Sequence, residues 1–140
     1  MKRFFLDANI LIDMLLNRSI NQTDAFKLTE TIGEGNIYMS ALSVHIAFYT
    51  LKIKPNTDLH RKITNFLSFI NVLPLEDVHI KKALKVSYKD FEDLLQFCCA
   101  SEHCDVIITR DGKDFEKIKK LLLSNIVIIN SYNEFKELNK

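Results

Sequence analysis

Apolar positions along this chain fall into two spacings. Arg3 to Leu6, Asn36 to Ser40, Asn71 to Leu73, Val106 to Thr109 and Ile126 to Ile129 are short runs, the last two strongly β-branched and flanked by polar residues. That is the pattern of strands, the last two covered on both faces. Between them the spacing lengthens to that of helices, with Leu42, His45, Ile46 and Tyr49 as one example. Helices are expected over Asp7–Leu16, Thr23–Ile32, Ala41–Lys52, Asp58–Ile70, Val78–Val86, Phe91–His103 and Asp114–Leu123, with a helical turn over Glu134–Leu138. Gly33 and Gly35 follow the second helix, and Pro55 stops the third.

Strands alternating with helices imply an α/β chain: a three-layer α/β/α sandwich around a central parallel sheet, joined by right-handed crossovers. With 140 residues, no linker and no internal repeat, residues 1–140 are read as a single domain able to bury its own core. Asp7 and Asp13 interrupt the apolar run after Met1-Lys2-Arg3-Phe4, so no signal peptide is expected, and no stretch reaches the roughly 18 apolar residues of a membrane helix. Cys98, Cys99 and Cys104 lack framework or zinc spacing and are read as reduced thiols of a cytoplasmic protein, His103 adding no recognisable ligand pattern.

Nineteen Lys and Arg against 18 Asp and Glu leave a net charge of +1, so any contact with nucleic acid must be local. The ten Phe are read as packing. The acids carry more information. In a parallel α/β sheet, strand C-termini and helix N-termini share one edge. Asp7 follows the first strand, Asp90 and Asp93 open the helix at Phe91, and Asp111 and Asp114 follow the strand ending at Thr109. Five acids are therefore expected at one edge. Each also has a local explanation: Asp is a preferred helix cap, and Asp111-Gly112 is an ordinary turn. Crowded carboxylates repel and raise one another's pKa unless a cation neutralises them, and oxygen-only donors suit Mg²⁺ or Mn²⁺.

Three segments carry a family likeness. Phe5-Leu6-Asp7-Ala8-Asn9-Ile10-Leu11-Ile12-Asp13, Asp90-Phe91-Glu92-Asp93-Leu94-Leu95-Gln96 with Ala100, and Asp105-Val106-Ile107-Ile108-Thr109-Arg110-Asp111-Gly112-Lys113-Asp114-Phe115 resemble the ordered motifs of PIN domains, the nuclease fold of VapC-type toxins. The ending, Ser131 to Phe135, is similar to the family's closing turn. The resemblance implies a metal-dependent endoribonuclease that hydrolyses RNA phosphodiester bonds, the toxin of a toxin–antitoxin pair. It implies Asp7 and Asp93 as direct ligands, Asp111 or Asp114 completing the set, and Asn9 and Thr109 orienting ligands from behind. RNA is then the substrate, a small antitoxin the protein partner, and a homodimer the assembly. Arg110 and Lys113 flank the site and could meet phosphate oxygens, or be solvated turn residues.

In one respect the chain departs from that pattern. PIN domains usually carry a Glu early in the helix after the second strand, where Ser40-Ala41-Leu42-Ser43-Val44-His45-Ile46 offers Ile46, with His45 beside it. His45 could substitute as a ligand for Mn²⁺, though imidazole serves Mg²⁺ poorly, or be a structural histidine. An alternative therefore stands beside the nuclease: a catalytically degenerate PIN domain that binds RNA or protein without cutting. A phosphoacceptor receiver domain shares the length and alternation, but wants paired acids after the first strand and a Lys near the last, which Leu6-Asp7-Ala8 and Ile126 to Asn130 do not supply.

Overall fold

A computed structural model describes residues 2–16, 19–130 and 132–138. Met1 of the basic start and Ser131 of the closing turn lie outside these. Five strands form one parallel sheet: β1 (Phe4–Leu6), β2 (Ile37–Ser40), β3 (Asn71–Leu73), β4 (Val106–Ile108) and β5 (Val127–Ile129), in the order β3-β2-β1-β4-β5. Among the described residues eight α-helices flank it: α1 (Ala8–Leu15), α2 (Ser19–Ile32), α3 (Ala41–Leu51), α4 (Asp58–Leu67), α5 (Asp77–Leu84), α6 (Phe91–His103), α7 (Gly112–Leu122) and α8 (Tyr132–Leu138).

The alternation of side chains along the strands creates the two outer layers. Phe4, Leu6, Val106, Ile108, Ile37 and Met39 point to one face, where they pack with α1, α2, α3, α4 and α8 through residues such as Leu11, Leu28, Ala47, Ile63 and Phe135. Phe5 and Ile107 point to the other, against α5, α6 and α7 through Ala83, Phe97 and Phe115. The central strands are buried on both sides, which is why their sequences show no polar alternation. The expected three-layer architecture is the one observed.

Some boundaries differ from the pattern-based expectation. Helix α2 begins at Ser19, four residues before Thr23, and α8 begins at Tyr132. Helix α4 ends at Leu67, because Ser68 and Phe69 donate to the carbonyls of Asn65 and Phe66 in tightened turns that release the chain toward β3. Helix α7 begins at Gly112, the Phe115 amide bonding the carbonyl of Asp111, so Asp111 is a cap position and residues 109–111, bent at Arg110, connect β4 to α7. Among the described residues no helix is long and apolar enough to cross a membrane.

Candidate functional site

Strand β1 delivers Asp7 to the C-terminal edge of the sheet, where it caps α1. Its Oδ1 accepts from the Ala8 amide at 2.8 Å and its Oδ2 from Thr109 Oγ1 at 2.9 Å, and the residue is 3% exposed. Thr109 arrives at the end of the neighbouring strand β4, and its hydroxyl also accepts the Asp111 amide at 3.0 Å. One threonine thus fixes both the first acid and the backbone of the third. Asn9 closes the loop by donating from Nδ2 to Asp111 Oδ2 at 2.8 Å. Asp111 sits at the N-cap of α7 yet makes no capping bond with its carboxylate.

Asp90 caps α6 by accepting the Asp93 amide at 3.0 Å, which orients the first turn that carries Asp93. Burial first, and then the charges of Asp90, Asp7, Asp111 and Asp114, push the Asp93 carboxyl up to about 7. Asp7 is pushed up to about 6, by burial first; the bonds from Thr109 and Ala8 oppose the rise, Asp111 adds to it and Arg110 lowers it. Each of the other four acids therefore acts on Asp93, and a cation here would relieve the repulsion. The donor set, carboxylate oxygens with partly buried walls, fits a hard divalent ion.

The five acids do not form a tightly closed ligand group. Among the described residues, the one group of three or more ligand side chains whose donor atoms lie within 4.8 Å of one another is elsewhere, at Glu76, His79, Glu102 and His103. A set held further apart suits ions that keep several waters.

Arg110 turns its Nε to Asp13, 2.9 Å from a carboxylate that is fully buried. Lys113 is exposed. His45 is exposed on α3, stacked on Tyr49 with ring centroids 6.3 Å apart, and is absent from the charges acting on Asp7 and Asp93. Ile46 is half-buried against the core of the α1–α4 face, so an aliphatic side chain fills the place where the family usually has an acid.

Residues that sequence reasoning passed over also reach this edge. Lys89 places Nζ 3.8 Å from Asp114 Oδ1. The Tyr88 phenol is pushed above its ordinary value by burial and by Asp114, Asp93 and Asp90. Beneath Asp93, Gln96 accepts from Ser40 Oγ at 2.5 Å and donates to Ser43 Oγ at 2.6 Å, all three side chains buried. Their signal was polarity at positions the helical period assigns to the core, which marks a buried network without naming its partners.

A separate cavity of about 430 Å³ lies among α1, α2 and α4, lined mainly by apolar side chains including Leu11, Met14, Leu15, Phe26, Phe66 and Phe69, with Glu30 and Lys62 at it, and by none of the five aspartates. The three cysteines are free and buried, and burial pushes Cys99 and Cys104 up to about 12, so they pack as unreactive thiols.

Comparison with known proteins follows the same lines. A search of curated proteins finds no match. Among solved structures, VapBC2 from Rickettsia felis, bound to a DNA fragment from its promoter, has 18% identity and a TM-score of 0.72, over 91% of this chain and 98% of that one. VapC20 from Mycobacterium tuberculosis, described as a sarcin-ricin loop cleaving toxin, has 11% identity and a TM-score of 0.64, over 81% and 94%. A toxin–antitoxin complex from Klebsiella pneumoniae has 20% identity and a TM-score of 0.61, over 79% and 88%. At these identities the likeness establishes the fold. The model of the PIN domain family matches residues 3–113, and the chain belongs to that family.

Proposed function

We propose that this chain works as one PIN-type domain, a metal-dependent endoribonuclease that hydrolyses RNA phosphodiester bonds as the toxin of a toxin–antitoxin pair. The observation that carries the reading is the convergence of Asp7, Asp93, Asp111 and Asp114 on one sheet edge, close enough that each of the other three raises the pKa of Asp93. These are the residues that would hold Mg²⁺ or Mn²⁺, which when bound supplies activation of water and neutralisation of the leaving oxygen. The chain's own groups position that set: Thr109 holds Asp7, Asn9 holds Asp111 and Asp90 orients the turn of Asp93. Exposed Lys89 and Lys113 offer phosphate contacts on a protein of nearly neutral charge.

The antitoxin is inferred from fold neighbours that include a toxin–antitoxin complex, and the apolar cavity among α1, α2 and α4, with Phe26 and Phe69 exposed at it, suits a small protein partner. A homodimer and a cytoplasmic location complete the reading. Ile46, in place of the usual acid, favours a second one: a PIN fold that binds RNA or protein without cutting.

Calorimetric titration of Mn²⁺ and Mg²⁺ into the chelator-treated protein, repeated with Asp7→Asn and Asp93→Asn, tests the centre. Saturable binding lost in both variants, with cleavage of RNA by the wild type alone, is the expected result. Absence of binding by the folded protein would remove the nuclease mechanism. Binding without cleavage of any RNA would leave the non-catalytic module.

A further inference from the structure

Helix α6 carries Asp93 in its first turn, and nine residues later, about 14 Å along the helix axis, a different group of ligands gathers at its other end. Glu76 and His79 come from the start of α5; Glu102 and His103 come from the last turn of α6. Each offers one donor atom, and the four lie within 4.8 Å of one another. Two nitrogens and two carboxylate oxygens make a donor set for zinc and its neighbours, and a poor one for Mg²⁺ or Ca²⁺.

The hydrogen bonds of this cluster account for three of the four side chains. His79, 1% exposed, accepts the Glu76 amide on Nδ1 at 2.9 Å, so its ring proton is on Nε2, 2.5 Å from Glu102 Oε2. The Glu76 carboxylate closes a capping box with the His79 amide. His103 is different: its ring stands 6.0 Å from that of His79, and its Nε2 is buried without a hydrogen-bond partner among the described residues. Buried polar atoms left without a partner are rare in folded proteins, and a capping arrangement gives no reason for this one.

We propose that Glu76, His79, Glu102 and His103 form a second cation site, of zinc type, that ties α5 to the C-terminal turn of α6. In a tetrahedral zinc site with bonds of about 2.0–2.1 Å the donors stand about 3.3 Å apart. The buried His79 ring fixes the position, and the two exposed glutamates close the remaining distance by side-chain rotation. The cation takes the place of the proton on Nε2. That proton moves through solvent to Nδ1, the Nε2–H···Oε2 bond gives way to one bond from the metal to each atom, and no proton is gained or lost overall. Nδ1 then carries a hydrogen and faces the Glu76 amide donor to donor, so that amide turns to water. The site does not depend on the reading of the acidic edge.

The experiment is titration of Zn²⁺ into the full chain carrying Asp7→Asn and Asp93→Asn, which removes competition from the acidic edge. Saturable 1:1 binding is expected, weakened at least about tenfold by His103→Ala and by Glu102→Gln, at the half-buried and exposed members of the cluster. In an amide-resolved NMR spectrum, the Glu76 signal is expected to shift on Zn²⁺ addition. Absence of 1:1 binding, or binding that His103→Ala leaves unchanged, would overturn the proposal and leave a histidine–carboxylate pair that only caps α5.

Discussion

The two ends of α6 hold opposite solutions to the same electrostatic problem. At its N-terminus, Asp93 is one of five acids with no imidazole among them; burial first, and then neighbouring carboxylates, raise both Asp93 and Asp7. At its C-terminus the carboxylates of Glu76 and Glu102 are interleaved with two histidines, and His79 and Glu102 meet directly at 2.5 Å. The first arrangement stores an electrostatic cost that protonation or an added cation relieves. The second satisfies most of its own polar atoms. A cluster that is unfavourable to the empty protein is the one that points to an activity, because helix capping accounts for Asp7 and Asp90 and leaves the gathering of the other acids unexplained.

The sharpest way to break this contrast is through pH. The folded-state pKa values of Asp7 and Asp93, about 6 and about 7, lie above the unfolded value of 3.8. Between pH 4 and 7 the folded protein therefore holds protons that the unfolded chain has released, and metal-free stability falls as pH rises through that window. Asp7→Asn is expected to stabilise the metal-free protein at pH 7.5 by about 2–3 kcal/mol and to flatten its pH profile, measured by urea denaturation in chelator at pH 4.5 and 7.5. Parallel curves for wild type and Asp7→Asn would mean that burying the Asp7 carboxylate beside Asp111 costs the folded protein nothing.

Gln96 lies between the two ends. Gln96→Leu removes the amide that both buried hydroxyls bond, leaving Ser40 and Ser43 only their contact with each other and the Ser43 amide, and is expected to cost about 1–3 kcal/mol in denaturant, at either pH. Thr109→Val removes one donor to Asp7 and one acceptor for the Asp111 amide, and Mn²⁺ affinity is expected to fall roughly tenfold while Zn²⁺ affinity at the far end is unmoved. An equal loss at both ends would show that the substitution had disturbed the whole helix. The smallest effect is expected from Ile46→Glu, which returns a carboxylate to a half-buried position and should raise Mn²⁺ affinity several-fold, up to about tenfold. No gain in calorimetry would mean that this helix face does not reach the acids.

The acidic edge was legible because it rests on topology. Once Val106–Ile108 and Phe4–Leu6 are recognised as doubly buried parallel strands, Asp7 and Thr109 must share an edge, and Asp93 in the first turn of α6 must face it. The capping explanation was also legible, and it holds for Asp7 and Asp90 while failing for the Asp111 carboxylate, which goes to Asn9. What could not be read was contact between helices. Glu76 and His79 meet Glu102 and His103 because α5 packs along α6, and no spacing within either segment records that crossing angle. Lys89 and Tyr88 were hidden for a related reason: they lie in the connection ahead of α6, whose path is set by the site it borders.

The central strand carries a consequence for how the protein is made. Strand β1 pairs on one side with β2 and on the other with β4, and Asp7 meets its partner Thr109 across 102 residues of chain. At a synthesis rate of about 5–20 residues per second, roughly 5–20 s separate the emergence of Asp7 from that of the hydroxyl that holds it. During that interval the second edge of β1 is uncovered and the acids are scattered along a nascent polymer. The acidic pocket is thus among the last parts of the molecule to exist, and a growing chain cannot carry its chemistry before the sheet has closed.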